Sequence, residues 1–418
     1  KMTVKEFLNS HGQGVEQVDV KACLSAFAAE AKKGLGGVSS IPMIPTYLMN
    51  VDRSLIKTGV KRILIDAGGT NFRAAVGYFD DLGEARIENV TKTVMPASDG
   101  KALCKEAFYG AIAENVREYL PAARDVGFCF SYQVEMDKDV DGKIVMFSKE
   151  IKAPEVIGTR VGFETLKALK RYDSKARRIV VLNDTVATLL GGMAYSDKKY
   201  SAYLGYIYGT GTNVCYIENT ANITKVKGLP SGEMIINTEC GNFEGFVRGD
   251  FDNACIARTA VPDKQIFEKM TSGKYLADII AEAFFVAKAE NRFSGEVILA
   301  PFELKDVSSF LEGGSFPCKF DTPCDLQFAK DICTCLIERA AKMGAVVNSA
   351  LAILSCKDKS LPVAIVAEGT TFNKLTNYKT LFKSYLDSIL GERGVSYEII
   401  QGGELNFVGA LMASMTLS

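Results

Sequence analysis

Histidine is almost missing from this sequence: of 418 residues only His11 carries an imidazole. A Ser/His/Asp triad, a histidine-ligated zinc centre and a HExxH protease each need that ring beside the chemistry, so all three are disfavoured. His11, followed by Gly12 in a polar segment, reads as a solvated residue. Paired-cysteine motifs are missing too. The 11 cysteines are scattered, and the nearest two, Cys333 and Cys335, have the wrong spacing for a CxxC redox or zinc motif. They read as reduced, mostly buried small apolar residues. An excess of one charge is also lacking. Lys plus Arg total 49 against 50 for Asp plus Glu, and a net charge of -1 offers no pull toward nucleic acid or an anionic membrane. No apolar run is long enough to span a bilayer, and the opening KMTVKEFLNSHGQGVEQ lacks the apolar block of a signal peptide. A cytoplasmic location is the expectation, with neither membrane nor nucleic acid as partner.

What is present is an alternation of strand and helix signals in a chain too long for one ordinary core, so two domains are expected. The runs at 61–66 (KRILID) and 72–79 (FRAAVGYF) read as a hairpin around Gly68-Gly69. A helix is expected over 103–120, where Leu103, Ala107, Phe108, Ala111, Ile112, Val116 and Tyr119 recur at helical spacing. A strand at 125–131, a helix near 162–171 and a strand at 178–182 follow. A second cycle begins at Tyr203, where YLGYIY and NVCYIE flank Gly209-Thr210-Gly211-Thr212. One device used in each half suggests two related domains that could close on a ligand. Later come helix patterns at 274–292 and 326–355, and strand patterns at 362–367 and 396–400.

Three short segments suit phosphate chemistry. In Asp66-Ala67-Gly68-Gly69-Thr70-Asn71-Phe72-Arg73 the glycines let backbone N–H groups approach a phosphate, Thr70 can donate, and Asp66 can hold hydrated Mg²⁺. Gly209-Thr210-Gly211-Thr212-Asn213 offers a second cradle of small residues. Between them Leu182-Asn183-Asp184-Thr185 ends an apolar strand in an amide and a carboxylate. Asp184 could take a proton from an attacking hydroxyl. Equally, Asp184 or Thr185 could cap the helix that VATLLGG announces.

In order, the strings IDAGGTNFR, FCFSYQVE, FSKEIKA, VVLNDTVATL, IYGTGTNVCYIE, INTECGNF and FEKMTSGKY resemble the hexokinase family, and EAKKGLGGVSSIPMIPTYL is similar to its N-terminal helix and following stretch. The resemblance runs from about residue 30 to at least 280. It implies a two-domain, actin-like ATPase fold of ribonuclease-H-like type with a cleft between the domains. The small domain would be 60–188 plus 404–418, the large one 1–59 plus 189–403. It implies ATP-dependent phosphorylation of a hexose such as glucose at its 6-hydroxyl, with Mg²⁺, as in glycolysis. Asp184 would be the base and Asn183 a sugar ligand. Ser131, Ser148, Lys149, Asn213, Glu239 and Glu268 fall on the family's remaining sugar-pocket positions, and Lys149 could also balance charge near the transferred phosphoryl. A polyol needs such a set, because each buried hydroxyl must find a partner. Partners would be a sugar and a nucleotide, the chain being a monomer or homodimer.

Toward the C-terminus the pattern departs from the family. Leu336-Ile337-Glu338-Arg339-Ala340-Ala341 stands where a Ser-Thr-Arg-Ala-Ala stretch opens an adenine-proximal helix, and the adenosine motif reads Glu368-Gly369-Thr370-Thr371. Glu404-Leu405-Asn406-Phe407 replaces an Asp-Gly-Ser-Gly, and Gln133 replaces a proline in FSYQ. Two alternatives therefore stand beside the kinase reading: a donor other than ATP, and a catalytically silent sugar sensor of the same fold.

Overall fold

The computed structural model describes residues 2–147 and 150–417. Its strands form a five-stranded sheet, a six-stranded sheet in the order Ile44–Met49, Glu233–Asn237, Thr212–Asn219, Ala202–Tyr208, Val363–Glu368, Tyr397–Ile400, and two two-stranded sheets. Both expected glycine-turn hairpins form, Arg62–Gly68 with Asn71–Phe79 and Ala202–Tyr208 beside Thr212–Asn219. The chain divides into two compact units, a first of Lys1–Met43, Tyr206–Val214 and Thr238–Glu398, and a second of Ile44–Gly205, Cys215–Asn237 and Ile399–Ser418. Residues 44–59, 189–205, 215–237 and 399–403 thus group with 60–188, where the sequence reading had set them with the remainder.

The second unit is built on the five-stranded sheet, ordered Ala85–Val94, Asn71–Phe79, Arg62–Gly68, Val126–Phe130, Ile179–Leu182. The first three strands are antiparallel, and the last two run parallel to Arg62–Gly68. These parallel strands are apolar throughout because both faces are covered. Ile63, Ile65, Ala67, Phe128 and Phe130 join one core cluster with Phe108, Ile112 and Leu169 of helices Lys105–Val116 and Val161–Leu169. Leu64, Cys129, Val180 and Leu182 join another with Leu189 and Leu190 of helix Asp184–Tyr195 and Val408 and Leu411 of helix Leu405–Ser414. Since side chains alternate along a strand, Asp66 shares the face of Leu64 and is in register with Cys129. Strand periodicity alone therefore sends Asp66 toward the two helices of that face.

Those helices meet backbone to backbone. A methyl on Gly409 would stand 2.0 Å from the Ala187 carbonyl oxygen, and one on Gly127 2.3 Å from that of Ala410. Leu405, Phe407, Val408, Leu411 and Met412 are all at most 2% exposed. Each such burial contributes ~1.5–3 kcal/mol, which anchors the C-terminal helix firmly.

The first unit is mostly helical and centred on Pro323–Ser355, 33 residues and so about 50 Å long. Thr322 caps it by accepting the Asp325 N–H at 3.1 Å, and Pro323 supplies a preset first turn. Leu336–Ala341 lie in its middle rather than opening a helix. Arg339 is 3% exposed and donates to Asp252 at 3.0 and 2.6 Å, a buried pair in which each charge needs the other. Strand residues 206–208 are held by an aromatic stack: Tyr208 lies 4.0 Å from Tyr378, and the Tyr206 and Tyr378 hydroxyls are 2.7 Å apart.

His11 corrects the expectation of a solvated residue. Its ring packs between Phe7 and Phe251, with Nδ1 2.8 Å from Asp250 and Nε2 3.0 Å from Glu290. All eleven cysteines are free thiols, seven of them buried. Among the described residues no helix is long and apolar enough to cross a membrane.

Candidate active site

In the second unit, parallel strands deliver their chemistry at their carboxyl ends, as open α/β sheets do. Strand Arg62–Gly68 carries Asp66 near its end, and the chain turns at Gly69, whose φ of 59° suits glycine. The turn is tied back by its carbonyls. Gly69 O accepts the Tyr132 hydroxyl at 2.8 Å and Thr70 O accepts the Met95 N–H at 2.8 Å. Among the described residues, the Gly69 and Thr70 amides donate to no protein group. Asp66 receives the Arg73 guanidinium on Oδ2 at 3.0 and 2.7 Å and the Asn406 amide on Oδ1 at 3.2 Å. Ser131 follows the next strand; its N–H donates to Ala67 O at 2.9 Å, and a methyl on Gly68 would stand 3.1 Å from its Cβ.

The third parallel strand, Ile179–Leu182, runs into Asn183 and Asp184. The cap expected of Asp184 or Thr185 falls to neither: Asn183 caps the helix, its Oδ1 accepting the Val186 N–H at 2.9 Å. Asp184 is the first helical residue, its Oδ1 accepting the Thr185 N–H at 2.8 Å. Burial pushes its carboxyl up to about 6; the Thr185 amide opposes this, and the charge of Asp66 adds to it. A carboxylate so poised is ionised at neutral pH yet basic enough to accept a proton as a hydroxyl loses it.

In the first unit, helix Gly273–Ala289 supports the second glycine turn. The Gly273 and Lys274 N–H groups donate to Gly209 O at 2.9 Å and Thr210 O at 3.2 Å, while the Thr210 and Gly211 amides meet no acceptor among the described residues. Both turns therefore spend their carbonyls on the scaffold and keep amides in reserve, the polarity a phosphate needs. Glu268 lies beneath the turn, accepting the Thr212 N–H at 3.1 Å, and a methyl on Gly211 would sit 2.5 Å from its Oε2. Burial pushes the Glu268 carboxyl up to about 7; the Thr212 bond opposes this, and the charge of Glu239 adds to it. Asn213 donates to Glu239 Oε1 at 3.3 Å. Glu239 itself takes a left-handed φ of 51°. Gly369 has a φ of 128° and closes against Tyr208, whose oxygen a methyl there would meet at 2.2 Å; Thr370 follows it.

The structure thus gathers Asp66, Gly68–Asn71, Arg73, Ser131, Asn183 and Asp184 in the second unit. It gathers Gly209–Asn213, Glu239, Glu268, Gly369 and Thr370 in the first. Ser148 and Lys149 lie outside the described residues. Tyr132, Met95 and Lys274 went unnoticed in the sequence. Tyr132 and Lys274 lie within the flagged strings FSY and TSGKY; Tyr132 acts through its hydroxyl, whereas Met95 and Lys274 act through backbone N–H groups, which leave no compositional trace.

Comparison with known proteins meets this geometry. The sequence pattern described as hexokinase matches residues 4–194 and 203–416. The chain belongs to the hexokinase family. Hexokinase-1 of Arabidopsis thaliana is 27% identical over 438 residues, covering 94% of this chain and 87% of the relative. Hexokinase-5 of Oryza sativa subsp. japonica is 28% identical, covering 88% and 80% respectively. A solved hexokinase from Schistosoma mansoni complexed with glucose superposes with a TM-score of 0.79 at 20% identity, covering 99% of this chain and 100% of that one. This hexokinase accordingly has the actin-like ATPase fold and is a hexokinase-type kinase, of the class that phosphorylates hexoses with ATP.

The family implies ATP and Mg²⁺. Among the described residues no three acidic, histidine or cysteine side chains group as ligands for a metal. Asp66, with two bonds on Oδ2 and one on Oδ1, fits a Mg²⁺ that keeps its waters rather than a protein cage.

Proposed function

We propose that this hexokinase transfers the γ-phosphoryl group of ATP to the 6-hydroxyl of glucose or a close hexose, with Asp184 as general base. The reading is carried by the Asp184 carboxyl, whose ordinary acidity is cut by burial to about 6 at the end of a parallel strand. Asp184 takes the proton of the sugar hydroxyl as its oxygen bonds to the γ-phosphorus, and the bond from that phosphorus to the bridging oxygen breaks to release ADP. Ser131, Asn183, Asn213, Glu239 and Glu268 bind the remaining sugar hydroxyls, and on the family pattern Ser148 and Lys149 join them. The Gly69, Thr70, Thr210 and Gly211 amides, with Arg73, donate to phosphate oxygens, and Gly369 and Thr370 adjoin the nucleoside. Asp66 would hold hydrated Mg²⁺, which when bound neutralises charge on the donor phosphates.

The test is phosphorylation of a hexose panel by the purified protein with Mg²⁺ and ATP, GTP, ADP or polyphosphate. Wild type should turn over a hexose, and Asp184→Ala should lose ~10²–10⁴-fold in kcat while retaining sugar binding. Binding of sugar without turnover on any donor would sink the kinase assignment in favour of a silent sensor. Turnover with polyphosphate or ADP alone would sink ATP as the donor.

A further inference from the structure

The contacts of Arg73 reach beyond its own loop. Nε and Nη2 donate to Asp66, Nη1 donates to Glu404 Oε2 at 2.8 Å, and the guanidinium carbon stands 4.5 Å over the ring of Phe407. Asn406, between those two partners, donates to the other oxygen of Asp66 at 3.2 Å. Three of four consecutive residues at the start of the C-terminal helix therefore grip one ion pair of the first phosphate loop. This is the stretch in which the sequence departs from the family pattern. Glu404 does so from a left-handed backbone with φ of 54°, which a side chain bears only at a cost and a glycine would relieve. The side chain kept at that cost is the one that meets Arg73.

A guanidinium has five N–H donors. Three are spent on Asp66 and Glu404, and its face is covered by Phe407, so its plane is fixed while two donors remain for a ligand. We propose that Glu404 and Asn406 are positioning residues for the phosphoryl donor: they orient Arg73 so that its unspent donors meet the nucleotide's phosphates, and Asp66 so that its remaining lone pairs face the waters of the Mg²⁺ that would accompany them. This rests on the reading of residues 66–73 as a phosphate site.

The experiment is steady-state kinetics with Mg-ATP and glucose on the full chain, with calorimetric ATP binding and thermal unfolding alongside. The variants are Arg73→Ala, Glu404→Gln, Glu404→Asp, Asn406→Ala and the double variant Arg73→Ala/Glu404→Gln. Glu404→Gln and Asn406→Ala are expected to raise the KM and Kd for ATP about fivefold to tenfold. The KM for glucose should stay within about twofold, Glu404→Asp should recover most of the loss, and the double variant should be no worse than Arg73→Ala, because Glu404 acts through Arg73. The proposal is overturned if Arg73→Ala weakens ATP while Glu404→Gln does not, or if the two losses multiply. It is overturned together with the phosphate-site reading if Arg73→Ala leaves ATP affinity unchanged.

Discussion

Two carboxylates show how burial sets function at the scale of single residues. Asp184 and Glu268 are both pushed up, to about 6 and about 7, chiefly by desolvation. The sign for Asp184 follows from its proposed role: a base must be ionised, so kcat/KM should fall tenfold per pH unit below a limb near pH 6, a profile that steady-state rates read directly. Stability runs the other way. A carboxyl whose folded value exceeds its unfolded one stabilises when protonated, fully below about 4, and this contribution is lost as pH rises through about 6. Asp184→Asn should therefore stabilise the protein at pH 8 by up to about 3 kcal/mol while turnover falls steeply, and the gain should vanish below pH ~4. Thermal unfolding at the two pH values checks this. At Gly211, a methyl would meet Glu268 Oε2 at 2.5 Å. Gly211→Ala should raise the KM for sugar at least about tenfold, with little change in melting temperature.

Elements explain why these residues stay in place. The face of the five-stranded sheet that carries Asp66 is roofed by two helices whose backbones touch at glycine. Neither Ala187 nor its carbonyl can yield to a methyl at Gly409. Gly409→Ala should cost ~3 kcal/mol, or roughly 6–12 °C in melting temperature. Gly391, with open space around it at the end of helix Tyr378–Gly391, is the control, and Gly391→Ala should be neutral within about 0.5 kcal/mol. The strand and helix periods that build this layer were legible in the sequence, since covered parallel strands read as unbroken apolar runs. The cap was not. The sequence offers Asp184 or Thr185 for it, whereas the helix begins at Asp184, so the cap falls to Asn183. His11 escaped as well: a polar neighbourhood in sequence conceals Phe7, Phe251, Asp250 and Glu290, which tertiary packing brings around it.

For the whole molecule, the order of the motifs carried the family, and the comparisons uphold it. What sequence order could not show is how segments are shared between units. Residues 206–214 belong to one unit and 215–237 to the other although they are contiguous, the boundary falling inside strand Thr212–Asn219. A ligand that binds only the folded state should raise the unfolding free energy by about 2.7 kcal/mol at a hundred times its Kd; glucose titration with thermal readout measures this. With every cysteine a free thiol, dithiothreitol should leave the melting temperature unchanged.

The two glycine turns also make the protein report on its own state. Their carbonyls are tied to Tyr132, Met95, Gly273 and Lys274, so the Gly69, Thr70, Thr210 and Gly211 amides sit on rigid frames without acceptors among the described residues. Backbone amides of that kind exchange with deuterium quickly although their surroundings are ordered. Four such protons, two in each half of the chain, amount to a built-in isotopic gauge: fast in the free protein, slowed wherever a phosphate has come to rest.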